Sequence, residues 1–192
     1  MAGVRQFDEE QALGKALDVF TVRGFRDTSM LDLAAGTGVQ RGSLYHAYGG
    51  KEEIFLKAFA GHAARFLTGA ARALDQPDKR RALLAFFDFC VESITAGEPS
   101  RGCLSTRTAI DASLDSPRVS AAVRVLLDEL ETVIHDALIR IDDDIPLRVD
   151  ARAAARLVVA TTRGVAVLER VAFSSNELRG IAATLATSLL GH

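Results

Sequence analysis

The sequence has few residues that cross-link or interrupt a chain, and these shortages exclude several classes of protein. It contains two cysteines in 192 residues, too few for a disulfide scaffold or a zinc cluster. No stretch approaches the roughly 20 uncharged apolar residues that a membrane helix needs. The first ten residues lack the apolar segment of a secretory leader. We therefore expect a cytoplasmic protein with reduced thiols and no membrane association.

Strand signals are also scarce, because the sequence has neither Asn-Gly nor Asp-Gly turns nor sustained alternation of apolar and polar residues. Apolar residues instead recur at intervals of three and four, as they do over residues 119–141. Residues 1–76 contain no proline, and the four prolines of the later chain fall between helical patterns. The pattern predicts an all-α fold of about nine helices, over residues 8–23, 29–35, 40–47, 51–74, 78–96, 101–112, 117–141, 147–172 and 176–190.

Glycines and hydroxyl caps divide the first 50 residues into three short helices. Gly24 ends the first helix, and Ser29 with Asp32 forms a capping box that begins the second. Gly36 is expected to close that helix, residues 36–38 to make a tight turn, and the third helix to begin near Gln40. Helix, tight turn and helix form the outline of a helix-turn-helix, whose second helix enters the major groove of DNA. We predict a DNA-binding domain over residues 1–50 and a larger helical domain over 51–192, joined by helix 51–74.

Charge along this segment favours contact with DNA. The whole chain has a net charge of −2, which excludes a globally basic protein but not a local basic surface. No Asp or Glu occurs between residues 33 and 51, where hydrogen-bond donors are frequent. Such a surface suits contacts to phosphates and base edges. The candidate DNA-binding residues are Thr28, Ser29, Thr37, Gln40, Arg41, Gly42, Ser43, Tyr45, His46 and Lys51.

Helical geometry assigns roles to several of these residues. Arg41 can make a bidentate contact to guanine, and Tyr45 can bond a phosphate or touch a thymine methyl. Gly42 lets the backbone approach DNA closely. Lys51, at the start of a helix, can bind a phosphate together with free backbone N–H groups. The alternative is an ordinary solvated helix face, and for Gln40 and His46 the two interpretations are evenly balanced.

The run from Gly24 to Phe55 resembles the DNA-binding segment of the TetR family of transcriptional regulators. The resemblance covers residues 8–58 and rests on Phe20, Gly24, Thr28, Ser29, Leu33, Ala34, Gly38, Val39, Gly42, Leu44, Tyr45, Tyr48, Lys51 and Phe55. It implies a homodimer that binds a palindromic DNA operator, usually as a repressor released by a small-molecule effector. Dimerisation would use the last two helices, 147–172 and 176–190. Gln40 and Tyr48 depart from the Ser or Thr and the Phe that are commoner at these positions.

The larger domain gives weaker signals for an effector pocket. The candidate lining residues are His62, Phe66, Phe87 and Cys103. The spacing of the phenylalanines is more typical of core, and a core or surface position is the more usual one for a histidine. Cys103 falls in the first turn of predicted helix 101–112, near Arg101 and Arg107, and both features favour the thiolate. Some regulators that this chain resembles sense electrophiles or oxidants through a cysteine in this region. The alternative is an inert thiol, as expected for Cys90 on an apolar helix face.

Other functions find less support in the sequence. The glycines at 36 and 38 lack the preceding strand of a dinucleotide-binding loop, and the four histidines have no metal-ligand spacing. A helical-bundle enzyme would need convergent titratable groups, and no Glu-x-x-His pair or nucleophile–base pair is present. We therefore expect neither enzyme activity nor a cofactor nor a metal. An activator of the same fold stays open as an alternative, and the acid-free segment argues against a scaffold that binds only protein.

Overall fold

The computed structural model describes residues 7–97, 100, 102–112 and 116–191. Within these ranges the regular elements are nine α-helices, supplemented by one isolated bridge between Leu147 and Leu190. The all-α prediction is therefore confirmed. None of these helices is both long and apolar enough to cross a membrane. The helices are α1 (Glu9–Arg23), α2 (Met30–Thr37), α3 (Arg41–Tyr48), α4 (Lys51–Ala73), α5 (Lys79–Thr95), α6 (Leu104–Ala112), α7 (Pro117–Arg140), α8 (Ala151–Arg170) and α9 (Ser175–Leu189).

Two helices begin three or more residues later than the sequence pattern predicts. The start expected for α6, residue 101, lies outside the described residues, and Gly102 has a φ of 68°, in the left-handed region that a right-handed helix excludes. Helix α8 was expected from residue 147, but Asp150 caps it by accepting a hydrogen bond from the Ala153 N–H at 2.9 Å. Leu147 instead forms the bridge to Leu190.

The chain forms two compact units, and each unit contains two segments that are separate in sequence. The first contains residues up to Ala63 together with 107–123, and the second contains Ala64–Thr106 together with the residues from 124 onward. Helices α4, α6 and α7 thus contribute residues to both units. The predicted division into 1–50 and 51–192 follows the chain and leaves segment 107–123 out of the DNA-binding part.

Aromatic rings form the core of the first unit. Phe20 of α1 meets Phe55 of α4 edge to face, with ring centroids 5.0 Å apart. The ring centroid of Phe25, from the loop after α1, lies 5.1 Å from that of Phe55. The centroid of Phe59 lies 5.3 Å from that of Phe55. All four rings are buried. Edge-to-face pairs add to the free energy of burial, so this cluster ties α1 and the following loop to α4.

The second unit contains α5, α8 and α9 together with parts of α4, α6 and α7. Phe86 and Phe87 of α5 are fully buried, among small side chains such as Ala154 of α8 and Ala182 of α9 that let the helices approach closely. Asp143 closes the amino end of α5 by accepting a hydrogen bond from the Lys79 backbone N–H at 2.7 Å. Its carboxylate also pairs with the Lys79 ammonium, and both side chains are about nine-tenths buried.

Candidate nucleic-acid interface

Helices α2 and α3 form the predicted helix-turn-helix. The Ser29 hydroxyl accepts a hydrogen bond from the Asp32 N–H, and the Asp32 carboxylate accepts one from the Ser29 N–H at 2.8 Å, which confirms the capping box. Gly38, with a φ of 73°, ends α2 in the left-handed conformation. The expectation that Gly36 closes this helix is wrong, since α2 continues to Thr37.

The two faces of α3 have different environments. Leu44 and Tyr48 are buried, as their spacing predicts. Arg41, Tyr45 and His46 are exposed. Gly42 is exposed as well, and a Cβ added there would meet no atom within 4 Å. The outer face of α3 therefore presents donors and an open stretch of backbone. Gln40 precedes the helix without making a side-chain cap, and Ser43 is partly buried.

The acidic residue of α2, Asp32, is partly neutralised by a cation of α1. Asp32 pairs with the Arg23 guanidinium of α1, with 3.1 Å between Nη1 and Oδ1. Hydrogen bonds from Ser29 and the charge of Arg23 hold the pKa of the Asp32 carboxyl below its usual value. The Asp32 carboxylate therefore caps the start of α2. The sequence of α3 itself contains no acidic residue.

The side chains of Thr28 and Thr37 do not belong to this surface. Both residues are at most 5% exposed. The Thr28 hydroxyl donates to the Gly24 carbonyl at 2.6 Å, and the Thr37 hydroxyl donates to the Leu33 carbonyl at 2.7 Å. Burial and internal hydrogen bonds give both hydroxyls a role in the fold, and contact of these two residues with DNA stays a prediction. Neither burial nor bonding of this kind is visible in a list of hydroxyl residues.

Lys51 has an internal role that the sequence did not indicate. Its ammonium donates to the carbonyls of Phe25, at 2.9 Å, and Arg26, at 3.2 Å. It also lies 4.7 Å from the centre of the Phe25 ring, in cation–π range. The side chain thus fastens the loop between α1 and α2 to the start of α4, and its contact with phosphate stays a prediction.

Sequence reasoning missed Arg107, which lies far along the chain in α6. Its guanidinium Nη1 donates to the carbonyl of Val22 at 2.7 Å, and Nη2 donates to that of Arg23 at 3.0 Å. Arg107 therefore belongs to the first unit. The nearness of Arg107 to Cys103 in sequence predicts instead that its charge acts on the thiol. No local signal predicts that its partners are carbonyls of α1.

The four candidate effector residues lie in different surroundings. His62 belongs to the first unit, 6.1 Å from the Phe59 ring between centroids, and the other three belong to the second. Phe66 is half-buried, and Phe87 is 1% exposed in the core. A packing role is therefore established for Phe87, and an effector contact by any of the four stays a prediction.

The cation beside Cys103 is Arg163 of α8. Arg163 Nη1 lies 3.6 Å from the Cys103 Sγ and donates to the Ser105 hydroxyl at 2.6 Å. The Thr106 hydroxyl donates to the same sulfur at 3.2 Å. Burial raises the pKa of the Cys103 thiol, but Arg163 and the hydrogen bonds from Ser105 and Thr106 outweigh it, so the pKa lies below its ordinary value.

Cys90 differs from Cys103 in the direction in which its pKa is shifted. It is buried in the apolar core, as predicted, and burial raises the pKa of its thiol to about 12. Cys90 is therefore protonated and unreactive at neutral pH. In the described part of the chain, no group of three or more His, Cys, Asp or Glu side chains is arranged to hold a metal ion.

Known proteins share this architecture. Residues 12–58 match the model of the TetR family of bacterial regulatory proteins, and residues 80–184 match that of the C-terminal domain of LmrA/YxaF-like transcriptional regulators. The uncharacterized HTH-type transcriptional regulator YezE of Bacillus subtilis is 26% identical over 140 residues, 72% of each chain. The HTH-type transcriptional repressor ComR of Escherichia coli is 24% identical over 182 residues, 93% of this chain and 87% of its own.

A solved structure matches nearly the whole chain. It is a cysteine mutant of the TetR family transcriptional regulator CifR, complexed with 26-base-pair double-strand operator DNA. Its identity is 25% and its TM-score 0.87, and the match covers 98% of this chain and 100% of that one. The family models together span the helix-turn-helix and most of the second unit. This chain belongs to the TetR family of transcriptional regulators.

Proposed function

We propose that this TetR-family regulator is a cytoplasmic homodimeric repressor that binds a palindromic operator and is released by a small-molecule effector. The observation that carries the proposal is the outer face of α3, where Arg41, Tyr45 and His46 are exposed in a segment without acidic residues. The complex of CifR with operator DNA and the name of the repressor ComR support it.

The exposed side chains of α3 have chemistry suited to the major groove. Arg41 would read guanine through two parallel N–H donors, and Tyr45 would contact a phosphate or a thymine methyl. Gln40, Ser43 and His46 add donors at the same surface. Ser29 lies at the start of α2, where backbone N–H groups attract phosphate. These contacts combine base readout with the electrostatic attraction that dominates affinity.

The dimer would form through α8 and α9. Large apolar side chains are exposed on and between these helices, and contiguous apolar patches mark interaction surfaces. The exposed side chains are Leu157, Val167, Val171, Phe173 and Ile181. A twofold dimer places its two recognition helices in successive major grooves, about 34–36 Å apart. Palindromic operators reflect this symmetry.

The effector would act by binding one state of the dimer more tightly than the other. An effector held in the second unit, with Phe66, Phe87 and Cys103 as candidate contacts, would change the spacing of the two α3 helices. Loss of that spacing releases the operator. Activation instead of repression would use the same contacts with DNA, and a reporter assay with and without the gene separates the two signs.

Cys103 supports a second mode of release, by reaction with an electrophile. Its sulfur accepts hydrogen bonds in a cationic environment, which favours the thiolate. In this reaction the Cys103 thiolate attacks an alkylating carbon, a sulfur–carbon bond forms, and the leaving group departs with the electron pair. A test treats the wild type and Cys103→Ser with iodoacetamide and measures operator affinity. Equal affinities before and after treatment in both proteins contradict the thiol mechanism.

The decisive experiment is selection of bound DNA from a random duplex pool, followed by anisotropy titration of the enriched duplex at two salt concentrations. We expect a palindrome bound in the nanomolar range, with affinity that falls steeply as salt increases. Arg41→Ala should weaken binding and relax specificity at one position. Arg124→Ala removes the same charge from a side chain that is 81% exposed in the second unit, and it serves as the control. Failure to enrich any duplex would contradict the proposal.

A further inference from the structure

Arg107 occupies the carbonyl end of α1, although it comes from α6. Its Nη1 donates to the carbonyls of Thr21, at 3.3 Å, and Val22, at 2.7 Å, and its Nη2 donates to the carbonyl of Arg23 at 3.0 Å. The last four carbonyls of a helix have no partner within it. One guanidinium therefore satisfies three of them, and its positive charge lies where the helix dipole favours a cation.

The same pattern continues into the loop after α1. The Gly24 carbonyl accepts a hydrogen bond from the Thr28 hydroxyl, and those of Phe25 and Arg26 accept from the Lys51 ammonium. Six successive carbonyls, from residue 21 to 26, thus accept from only three side chains. Together these side chains fix the end of α1 and the path of the loop that leads to α2.

The end of α1 is tied in turn to the helix-turn-helix. The Arg23 guanidinium pairs with Asp32, which caps α2. The Val19 side chain lies directly against the backbone of Gly36 in α2. Because α3 follows α2 after a tight turn, the orientation of the last turn of α1 determines where α3 stands relative to α1.

We propose that Arg107 is a positioning residue for DNA binding, which holds α1, and through it α2 and α3, in the arrangement that fits the operator. The inference rests on the proposed function and adds the residue through which α6 acts on the DNA-binding helices. The guanidinium of Arg107 is directed at the carbonyls of α1, so the proposed role is to position these helices and not to contact DNA directly. Helix α6 begins directly after Cys103, so its first residue lies about one helical turn before Arg107.

The first test measures amide hydrogen exchange in the free protein. Arg107→Ala should accelerate exchange in residues 20–24, because the last turn of α1 loses its cap, while exchange in α5 is unchanged. Arg107→Lys keeps the charge but cannot reach three carbonyls in a fork, so its effect should be intermediate. Arg124→Ala is the matched control and should leave residues 20–24 unaffected. Wild-type exchange in Arg107→Ala overturns the inference.

The second test measures binding to the duplex that the wild type enriches. We expect Arg107→Ala to lower affinity by about tenfold, with the dependence on salt unchanged, since no phosphate contact is lost. A direct phosphate contact would instead reduce the salt slope by about 0.9. That result, or wild-type affinity in Arg107→Ala, overturns the positioning role. If the wild type enriches no duplex, the proposed function fails, and faster exchange then leaves Arg107 as a helix cap only.

Discussion

Gly36 of α2 and Val19 of α1 are in direct contact, so closely that a Cβ added at Gly36 would lie 2.2 Å from the Val19 Cγ2. Real Cβ atoms do not approach a methyl group to this distance. Valine is stiff about χ1, so it cannot simply turn aside. The glycine is therefore the residue that allows α1 and α2 to pack at their observed separation.

Gly36→Ala should lower the free energy of unfolding of the first unit. Overpacking typically costs about 1–3 kcal/mol, whereas the gain in helix propensity from glycine to alanine is about 1 kcal/mol. Thermal or urea unfolding measures the difference. Gly14→Ala, in α1 where a Cβ has open space, is the control and should be neutral or stabilising. The double variant Val19→Ala with Gly36→Ala should recover part of the loss, and strict additivity would contradict the contact.

Gly42→Ala should weaken DNA binding without lowering the free energy of unfolding, in contrast to Gly36→Ala. A Cβ at this position meets no protein atom, so the variant should fold as well as the wild type, or up to about 1 kcal/mol better. If the backbone of α3 approaches DNA closely here, the added methyl group weakens binding. Anisotropy with the enriched duplex and a thermal melt check both halves. Unchanged affinity would show that Gly42 faces no DNA.

Lys51→Ala should reveal how the ammonium divides between the fold and DNA. Loss of its hydrogen bonds to the carbonyls of Phe25 and Arg26 should lower the free energy of unfolding by about 1–2 kcal/mol. The salt dependence of operator binding reports the other role. A slope reduced by about one indicates a phosphate contact, whereas an unchanged slope means that Lys51 only holds the loop.

The sequence predicted those features of the DNA-binding unit that depend on local spacing. The capping box at Ser29 and the buried pair Leu44 and Tyr48 follow from intervals of three and four residues, which fix neighbours on a helix. The roles of Thr28 and Thr37 did not follow, because the sequence does not show whether a hydroxyl donates to the protein's own backbone or faces solvent.

Long-range partners could not be predicted either. Arg107 was expected to act on Cys103, four positions away, but it caps α1, and the cation at the thiol is Arg163 of α8. Tertiary packing decides which of several nearby charges reaches a group, and one sequence carries no record of that choice. An effector contact by any of the four candidate residues stays a prediction for the same reason.

Arg163→Gln should shift the reactivity of Cys103 to higher pH. The guanidinium favours the thiolate, so its removal raises the pKa of the thiol and leaves less thiolate at neutral pH. The rate of alkylation by iodoacetamide at pH 7 should fall, because a smaller fraction of Cys103 is then present as thiolate. Mass spectrometry should find Cys90 unmodified in the folded protein. Arg156→Gln, on the same helix and 69% exposed, is the control and should leave the rate profile in place.

Asp143→Asn should destabilise the second unit, because it leaves the buried Lys79 ammonium without its anionic partner. Lys79 and Asp143 are each about nine-tenths buried, and removal of one partner from a buried pair costs on the order of 3 kcal/mol. Asp142→Asn makes the same chemical change at the exposed neighbouring position, and it should leave the free energy of unfolding almost unchanged. Equal stability of the two variants at pH 7 would show that the ion pair contributes little.

The effect of Asp143→Asn should also depend on pH, with a sign fixed by the carboxylate. Burial raises the pKa of Asp143, but the hydrogen bonds and charge of Lys79 outweigh it, so the folded pKa lies below the ordinary value of 3.8. The pair's stabilisation is therefore fully present above pH 3.8 and is lost as pH falls through the folded pKa. Urea unfolding of the wild type and the variant should give curves that converge in acid. A constant difference between pH 7 and pH 2 would mean that the variant acts through packing instead of charge.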